Sequence, residues 1–166
     1  MQQLCISCRR SKKNSVSCGV CNETVCKDCD TFIESSSFSF LKTIPEILTH
    51  RHYCANCFEA HVQAALEAYN ETMEQARKIY VFFTTQRRAL PILKKAKLVE
   101  SVTNCEDRDE TILRLAFFAA QEGYNALIET DVTSTKIRNG GHQKTIWKGS
   151  GIPAQVDAEK LERHND

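Results

Sequence analysis

Eight of the nine cysteines in this 166-residue chain stand in four C-x2-C pairs: Cys5/Cys8, Cys18/Cys21, Cys26/Cys29 and Cys54/Cys57. The gaps between pairs are 9, 4 and 24 residues. Two intervening residues let both thiolates of a pair turn toward one point, and Zn²⁺ takes four such ligands in a tetrahedron. Four half-sites therefore predict two closed four-thiolate centres, two Zn²⁺ per chain, with no open position for a substrate. Consecutive pairs sharing an ion would make two ribbons in series. Alternating pairs would put Cys5, Cys8, Cys26 and Cys29 on one ion and Cys18, Cys21, Cys54 and Cys57 on the other. The four-residue link from Cys21 to Cys26 favours alternation, because so short a connection more easily sends adjacent pairs to different ions.

Disulfides are the competing chemistry. The N-terminus is polar, and Arg9, Arg10, Lys12 and Lys13 are not followed by an apolar stretch of signal-peptide length. No run approaches the length of a membrane span. The expectation is a soluble, cytoplasmic protein, where paired cysteines serve as metal ligands rather than disulfides. Cys105 lies outside every pair and reads as a buried or half-buried free thiol. His50 and His52 flank the last pair; with eight cysteines present they read as surface or supporting groups.

The metal must be positioned by elements that cannot fold on apolar burial alone. Hydrophobic residues make up 42% of the chain, yet residues 1–57 hold few large aliphatic side chains. Structural zinc, at about 10–16 kcal/mol per site in small fingers, supplies what that core lacks. After Cys57 the pattern turns helical: Phe58, Val62, Leu66, Tyr69, Met73, Ala76 and Tyr80 form one apolar stripe. The stripe predicts a helical connector over 58–78 that packs on its own neighbours. Residues 79–84 read as a buried strand, 86–97 as a basic loop around Pro91, and 98–102 as a second strand. Asp107 with Glu110 marks a helix start, the all-round apolar run from Ile112 to Ala120 a buried helix, and Gly123 its stop. Residues 127–137 and 143–147 read as a hairpin about Asn139-Gly140, and the charged tail 158–166 as frayed. The fold class is α+β: an N-terminal two-zinc cross-brace finger over 1–57, the amphipathic connector, and a small β-sheet packed on a buried helix over 79–157.

The run Cys18-Gly-Val-Cys21-Asn-Glu-Thr-Val-Cys26-Lys-Asp-Cys29, closed by Arg51-His-Tyr-Cys54-Ala-Asn-Cys57, resembles the FYVE-type cross-brace finger over about residues 5–60. The all-cysteine ligand set separates it from RING and PHD patterns, which use a histidine. The lipid-reading residues of that family do not carry over. Asn14, Ser15, Val16 and Ser17 precede Cys18 where a basic histidine block would stand, and the only tryptophan is Trp147. Phe38, Phe40 and Leu41 mimic an insertion tip but fall in a different loop from the basic stretch at 9–13. Specific phosphoinositide binding is therefore not expected.

Ala119-Ala-Gln-Glu-Gly-Tyr-Asn-Ala-Leu-Ile-Glu-Thr-Asp-Val and Trp147-Lys-Gly-Ser-Gly-Ile-Pro-Ala-Gln-Val look like the helix-to-strand element and closing strand of YbjQ-like and RcsF-like bacterial domains. This resemblance covers about residues 79–157 and implies a small α+β domain, a bacterial origin and a capacity for homo-oligomers. In it Gly123 caps the helix, Asn125 satisfies turn backbone, and Ala126 lets strand and helix approach.

No catalytic constellation assembles in the sequence. Asp107, Asp109 and Glu110 sit at a helix N-terminus, where acids are expected on dipole grounds. His142 is isolated on a hairpin, and Gly140, Gly141, Gly149 and Gly151 read as turn residues rather than a phosphate cradle. The reading is a non-enzymatic, zinc-binding interaction or scaffold protein with a protein partner. Its rivals are a zinc- or redox-responsive regulator, and an adaptor for nucleic acid or anionic membrane through the basic loops at 9–13 and 87–97. The net charge of +1 gives no global bias toward nucleic acid.

Overall fold

In the computed structural model, which describes residues 3–164, the chain divides after Asn70 into two units. The first is built from very short elements. Strands β1 (Ser15–Ser17) and β2 (Thr24–Cys26) pair antiparallel, with Ser17 opposite Thr24, so that Cys18 and Cys21 fall in the connecting turn. Strands β3 (Thr31–Phe32) and β4 (His52–Tyr53) pair antiparallel and close the long gap between Cys29 and Cys54. Helix α1 (Ala55–Cys57) leads through a π-helical turn (Phe58–Val62) into α2 (Gln63–Ala76). Val62, Tyr69 and Ala76 are buried along the expected stripe. The unit boundary falls inside α2.

Strands of two or three residues contribute little on their own. The buried cluster of this unit consists of Cys5, Cys18, Val25, Cys26 and Cys54, so four of its five members are thiols. A second apolar patch joins Phe38, 2% exposed, to Tyr69, with ring centroids 5.4 Å apart and edge-on. The Phe40 backbone N–H donates to Tyr69 Oη at 3.3 Å. Phe38 is thus a core residue rather than part of a membrane-insertion tip, because α2 offers it an aromatic partner.

The second unit is a five-stranded sheet carrying α3 (Arg108–Gln121). Its strands are β5 (Tyr80–Phe83), β6 (Ile92–Lys95), β7 (Glu100–Cys105), β8 (Ala126–Asn139) and β9 (His142–Val156). The hydrogen-bonded order is β5-β8-β9-β6, and β7 also pairs with β9. Only β5 and β8 run parallel. Asp107 Oδ1 accepts from the Glu110 N–H at 2.7 Å and caps α3 as its sequence predicts. At the other end Gly123, with φ of 84°, lets Tyr124 N–H reach Ala119 O and Gly123 N–H reach Ala120 O, a Schellman stop. Leu115, Phe117 and Leu127 are fully buried at the centre. Asn125 accepts from Val156 N–H and donates to Val156 O, holding the start of β8 to the end of β9.

Four expectations are corrected. Residues 86–97 contain a strand, β6, because Pro91 precedes it at the sheet edge, where a missing N–H costs no ladder bond. The strand 79–84 is β5, half-buried rather than buried, since it pairs only with β8. Gly149 and Gly151 lie inside β9 rather than in turns, and the hairpin turn is Gly140-Gly141, with Asn139 paired to His142. The tail is helical through α4 (Ala158–Arg163): Asp157 Oδ1 accepts from Lys160 N–H, and Leu161, 4% exposed, packs on Ala126 and Val156. One apolar anchor in a charged segment leaves no periodicity to read. Ala126 accordingly faces α4. Residues 165 and 166 of that tail lie outside the described residues.

Cys105 is 2% exposed because a bulge inverts the ordinary alternation of β7. Asn104 takes a φ of 56°, and the register passes from Val102↔Gly149 to Cys105↔Trp147. Cys105→Ser is expected to leave metal content unchanged but to lower stability by about 1–3 kcal/mol, through a hydroxyl buried in place of a thiol. Denaturant titration alongside metal analysis checks both halves.

Candidate metal centres

Each C-x2-C pair adopts one of two local turns. At Cys5 and at Cys18 the chain makes the same tight turn. Arg9 N–H donates to Cys5 O and Asn22 N–H to Cys18 O, both at 2.9 Å. The residue just past the second cysteine is left-handed in each, with φ of 59° at Arg9 and 61° at Asn22. Cys5 N–H then donates to Arg10 O and Cys18 N–H to Glu23 O. The other two pairs are helical turns: Asp30 N–H donates to Cys26 O, and Phe58 N–H to Cys54 O at the start of α1. Cys57 N–H also donates to Cys54 Sγ at 3.4 Å.

One turn of each kind meets at each centre. Cys5, Cys8, Cys26 and Cys29 form one tetrad and Cys18, Cys21, Cys54 and Cys57 the other, with the sulfurs of each within 4.8 Å of one another. The alternating arrangement inferred from the short Cys21–Cys26 link is the one observed. Neither His50 nor His52 belongs to a tetrad. A tetrahedron of sulfurs about 2.3 Å from a central Zn²⁺ has edges of about 3.8 Å. Cys8 Sγ and Cys26 Sγ lie 3.8 Å apart, and Cys21 Sγ and Cys54 Sγ 3.9 Å. Donor type and spacing fit a soft, tetrahedral cation. Each tetrad can hold a metal ion.

The sulfurs titrate unevenly against one another. Cys5 is lowered to about 6, first by the Cys26 backbone N–H and then by that of Cys8, against the raising effect of burial. At Cys18 burial is the largest influence and raises the thiol, but the Cys21, Cys54 and Val20 backbone groups together bring it down to about 6. Cys29 is pushed up to about 12, chiefly by its contact with the Cys26 side chain. Cys57 and Cys21 are raised, burial first. Each tetrad therefore pairs a sulfur that ionises readily with one that resists, and a dication is what makes four adjacent thiolates tenable.

Supporting contacts that the spacing does not reveal tie the two centres together. His52 Nδ1 lies 2.6 Å from Asp30 Oδ2, joining the residue after Cys29 to the strand that delivers Cys54. Lys12 of the basic loop pairs with Asp28, between Cys26 and Cys29. Gly19 N–H donates to His52 O at 2.9 Å, and the His50 side chain lies directly over Gly19. That contact left no signal in the sequence beyond the glycine itself.

Comparison with protein-family models, with curated proteins and with solved structures finds no match for this chain. The two cysteine tetrads stand on their geometry. The FYVE-like and YbjQ- or RcsF-like resemblances stand on motif spacing alone. Among the described residues no helix is long and apolar enough to cross a membrane.

Proposed function

We propose that this protein is a non-catalytic protein-interaction or scaffold module whose first unit is organised by two structural Zn²⁺ ions. The observation that carries this reading is the closure of both centres. Four sulfurs converge in each, and four thiolates complete the tetrahedral coordination of zinc and leave no site for substrate or water. Zinc is the favoured occupant because an all-thiolate tetrahedron suits its softness and it brings no redox chemistry of its own. The pairing of Lys12 with Asp28 fits a basic loop that balances charge around the thiolates rather than one that reads a headgroup.

Elemental analysis of protein purified without chelator is expected to find two zinc ions per chain. Cys26→Ser is expected to release one of them, because a hydroxyl replaces a soft thiolate, and a finding of one zinc or none in the unaltered protein overturns the reading. Capture of partners from lysate by the zinc-loaded protein, compared with the Cys26→Ser variant, tests the interaction role.

One observation favours the redox-responsive alternative. Cys21 is exposed, whereas Cys18 and Cys54 of the same tetrad are buried. An accessible thiolate is the first to meet an oxidant. A scaffold keeps both ions under mild peroxide; reversible release of the ion held through Cys21 would make the sensor the better reading.

A further inference from the structure

The outer half of the β8–β9 hairpin has no support from the rest of the sheet. The β5 ladder along β8 ends at Thr130, and the β7 ladder along β9 ends at Trp147. Beyond these points the two strands pair only with each other, from Thr135↔Ile146 to Asn139↔His142. Every residue from 133 to 145 is exposed. An isolated two-stranded ribbon is marginally stable in water, so a long one held out from its sheet calls for a surface that it meets.

Its charge identifies that surface. Lys136, Arg138 and Lys144 lie on the ribbon, with His142 at its tip and the exposed Lys148 at its base, where β7 still flanks β9. No Asp or Glu occurs between Asp131 and Asp157, a stretch of 25 residues that would carry about three at the chain's average of 21 in 166. Lysines also guard exposed strand edges against aggregation, but that purpose is served by charge of either sign. Uniform sign in a chain with 22 basic and 21 acidic residues points to a polyanion instead.

The faces of the ribbon choose among polyanions. Cross-strand pairing places Lys136 and Arg138 on one face with Thr145 and Gln143. Lys144 and Lys148 fall on the other, opposite Ile137 and Thr133. A flat anionic surface engages one face. A groove walled by phosphates on both sides engages both. Two paired strands, about 4.8 Å apart, fit the major groove of B-form DNA, which is about 12 Å wide and admits a two-stranded ribbon. Residues 135–139 give a reach of roughly 14 Å at about 3.4 Å per residue. Asn139, His142 and Gln143 near the tip supply the donors and acceptors that base edges and phosphates require. A second copy of the arm is disfavoured, since like charges would face one another across the pair.

We propose that the outer β8–β9 hairpin is a cationic arm that enters the major groove of duplex DNA. This inference stands on the second unit alone and succeeds or fails independently of the zinc reading.

The test is fluorescence anisotropy of the intact, zinc-loaded protein on a random-sequence DNA duplex between about 50 and 200 mM salt. With four cations displacing counterions, affinity is expected to fall about 150-fold across that range. Lys136→Gln with Arg138→Gln, and separately Lys144→Gln with Lys148→Gln, are each expected to reduce the fall to about 12-fold. These side chains are exposed on the ribbon or at its base, and circular dichroism confirms that the sheet persists. Arg9→Gln with Arg10→Gln is expected to leave the curve unchanged. The proposal is overturned by absence of binding at the low-salt end, or by loss of binding in the Arg9/Arg10 variant with retention in both arm variants. Binding of phosphatidylserine vesicles that depends on only one face, with no duplex binding, would assign the arm to membranes instead. Equal affinity for duplex RNA, whose major groove is deep and narrow, would overturn the groove assignment.

Discussion

Stripping both metal ions from the intact protein with a chelator is expected to unfold the described residues up to Asn70 while the five-stranded sheet keeps its structure. The buried cluster around the tetrads has a single aliphatic member, Val25, among four thiols, with Ile6, Val16 and Val20 only partly buried against it. Burial of one such side chain contributes about 1.5–3 kcal/mol. A structural zinc contributes about 10–16 kcal/mol, comparable to the entire net stability of a typical domain. Strands β1 to β4 are three residues or fewer and cannot persist as isolated pairs. The second unit has its own core of Leu115, Phe117, Leu127 and Val156 and contains neither tetrad. Hydrogen exchange followed by mass spectrometry reads the outcome segment by segment. Protection at Val16, Val25 and Tyr53 is expected to vanish on chelation and that at Leu115 and Leu127 to remain. Persistence of protection in the first unit would mean that the Phe38–Tyr69 patch carries the fold and the metal only decorates it.

The metal centres were legible because each half-site is local. A C-x2-C pair fixes its own turn, and the four-residue link from Cys21 to Cys26 leaves little freedom over which pairs meet. The α3 boundaries were legible for the same reason, since Asp107 and Gly123 act within one helical turn of their positions. What escaped depends on partners distant in sequence. Strand β6 is exposed along its whole length and exists only because the end of β9 offers it a ladder. Cys105 is buried as an unpaired thiol is expected to be, but the one-residue bulge that turns it inward is encoded by no alternation pattern. The tail is helical on the strength of Leu161 meeting Val156, five residues back, and Ala126, 35 residues back, contacts of which strand periodicity carries no trace. The resemblances drawn from motifs named plausible frames for both units, but only the ligand geometry of the first has a direct structural counterpart.

Gly19 is where a small change should have the largest effect outside the ligands themselves. It lies between Cys18 and Cys21, and its N–H is held by His52 O at 2.9 Å, so its backbone is not free to retreat. A Cβ at this position would overlap His50 Cβ and Cγ and would approach Nδ1 to 2.7 Å. The imidazole cannot readily yield, because its ring packs edge-on against Tyr53, centroids 6.1 Å apart, and Tyr53 is fully buried with its hydroxyl donating to Ile47 O at 2.9 Å. Gly19→Ala is therefore expected to push the Cys18/Cys21 turn away from Cys54 and Cys57. Overpacking of this kind costs about 2 kcal/mol, which corresponds to about a thirtyfold weaker hold on the second metal ion. The tetrad of Cys5, Cys8, Cys26 and Cys29 should keep its ion. Chelator competition resolves the two centres, with one ion lost early and one late. The geometry also dictates the rescue. His50→Ala removes the ring but leaves the Cβ in the way, so it is expected to restore little in the Gly19→Ala background. His50→Gly removes both overlapping atoms and is expected to recover most of the affinity. Equal rescue by the two substitutions would show that the ring alone is the obstacle. A Gly19→Ala protein with two tightly held ions would show that the turn can shift without disturbing its sulfurs.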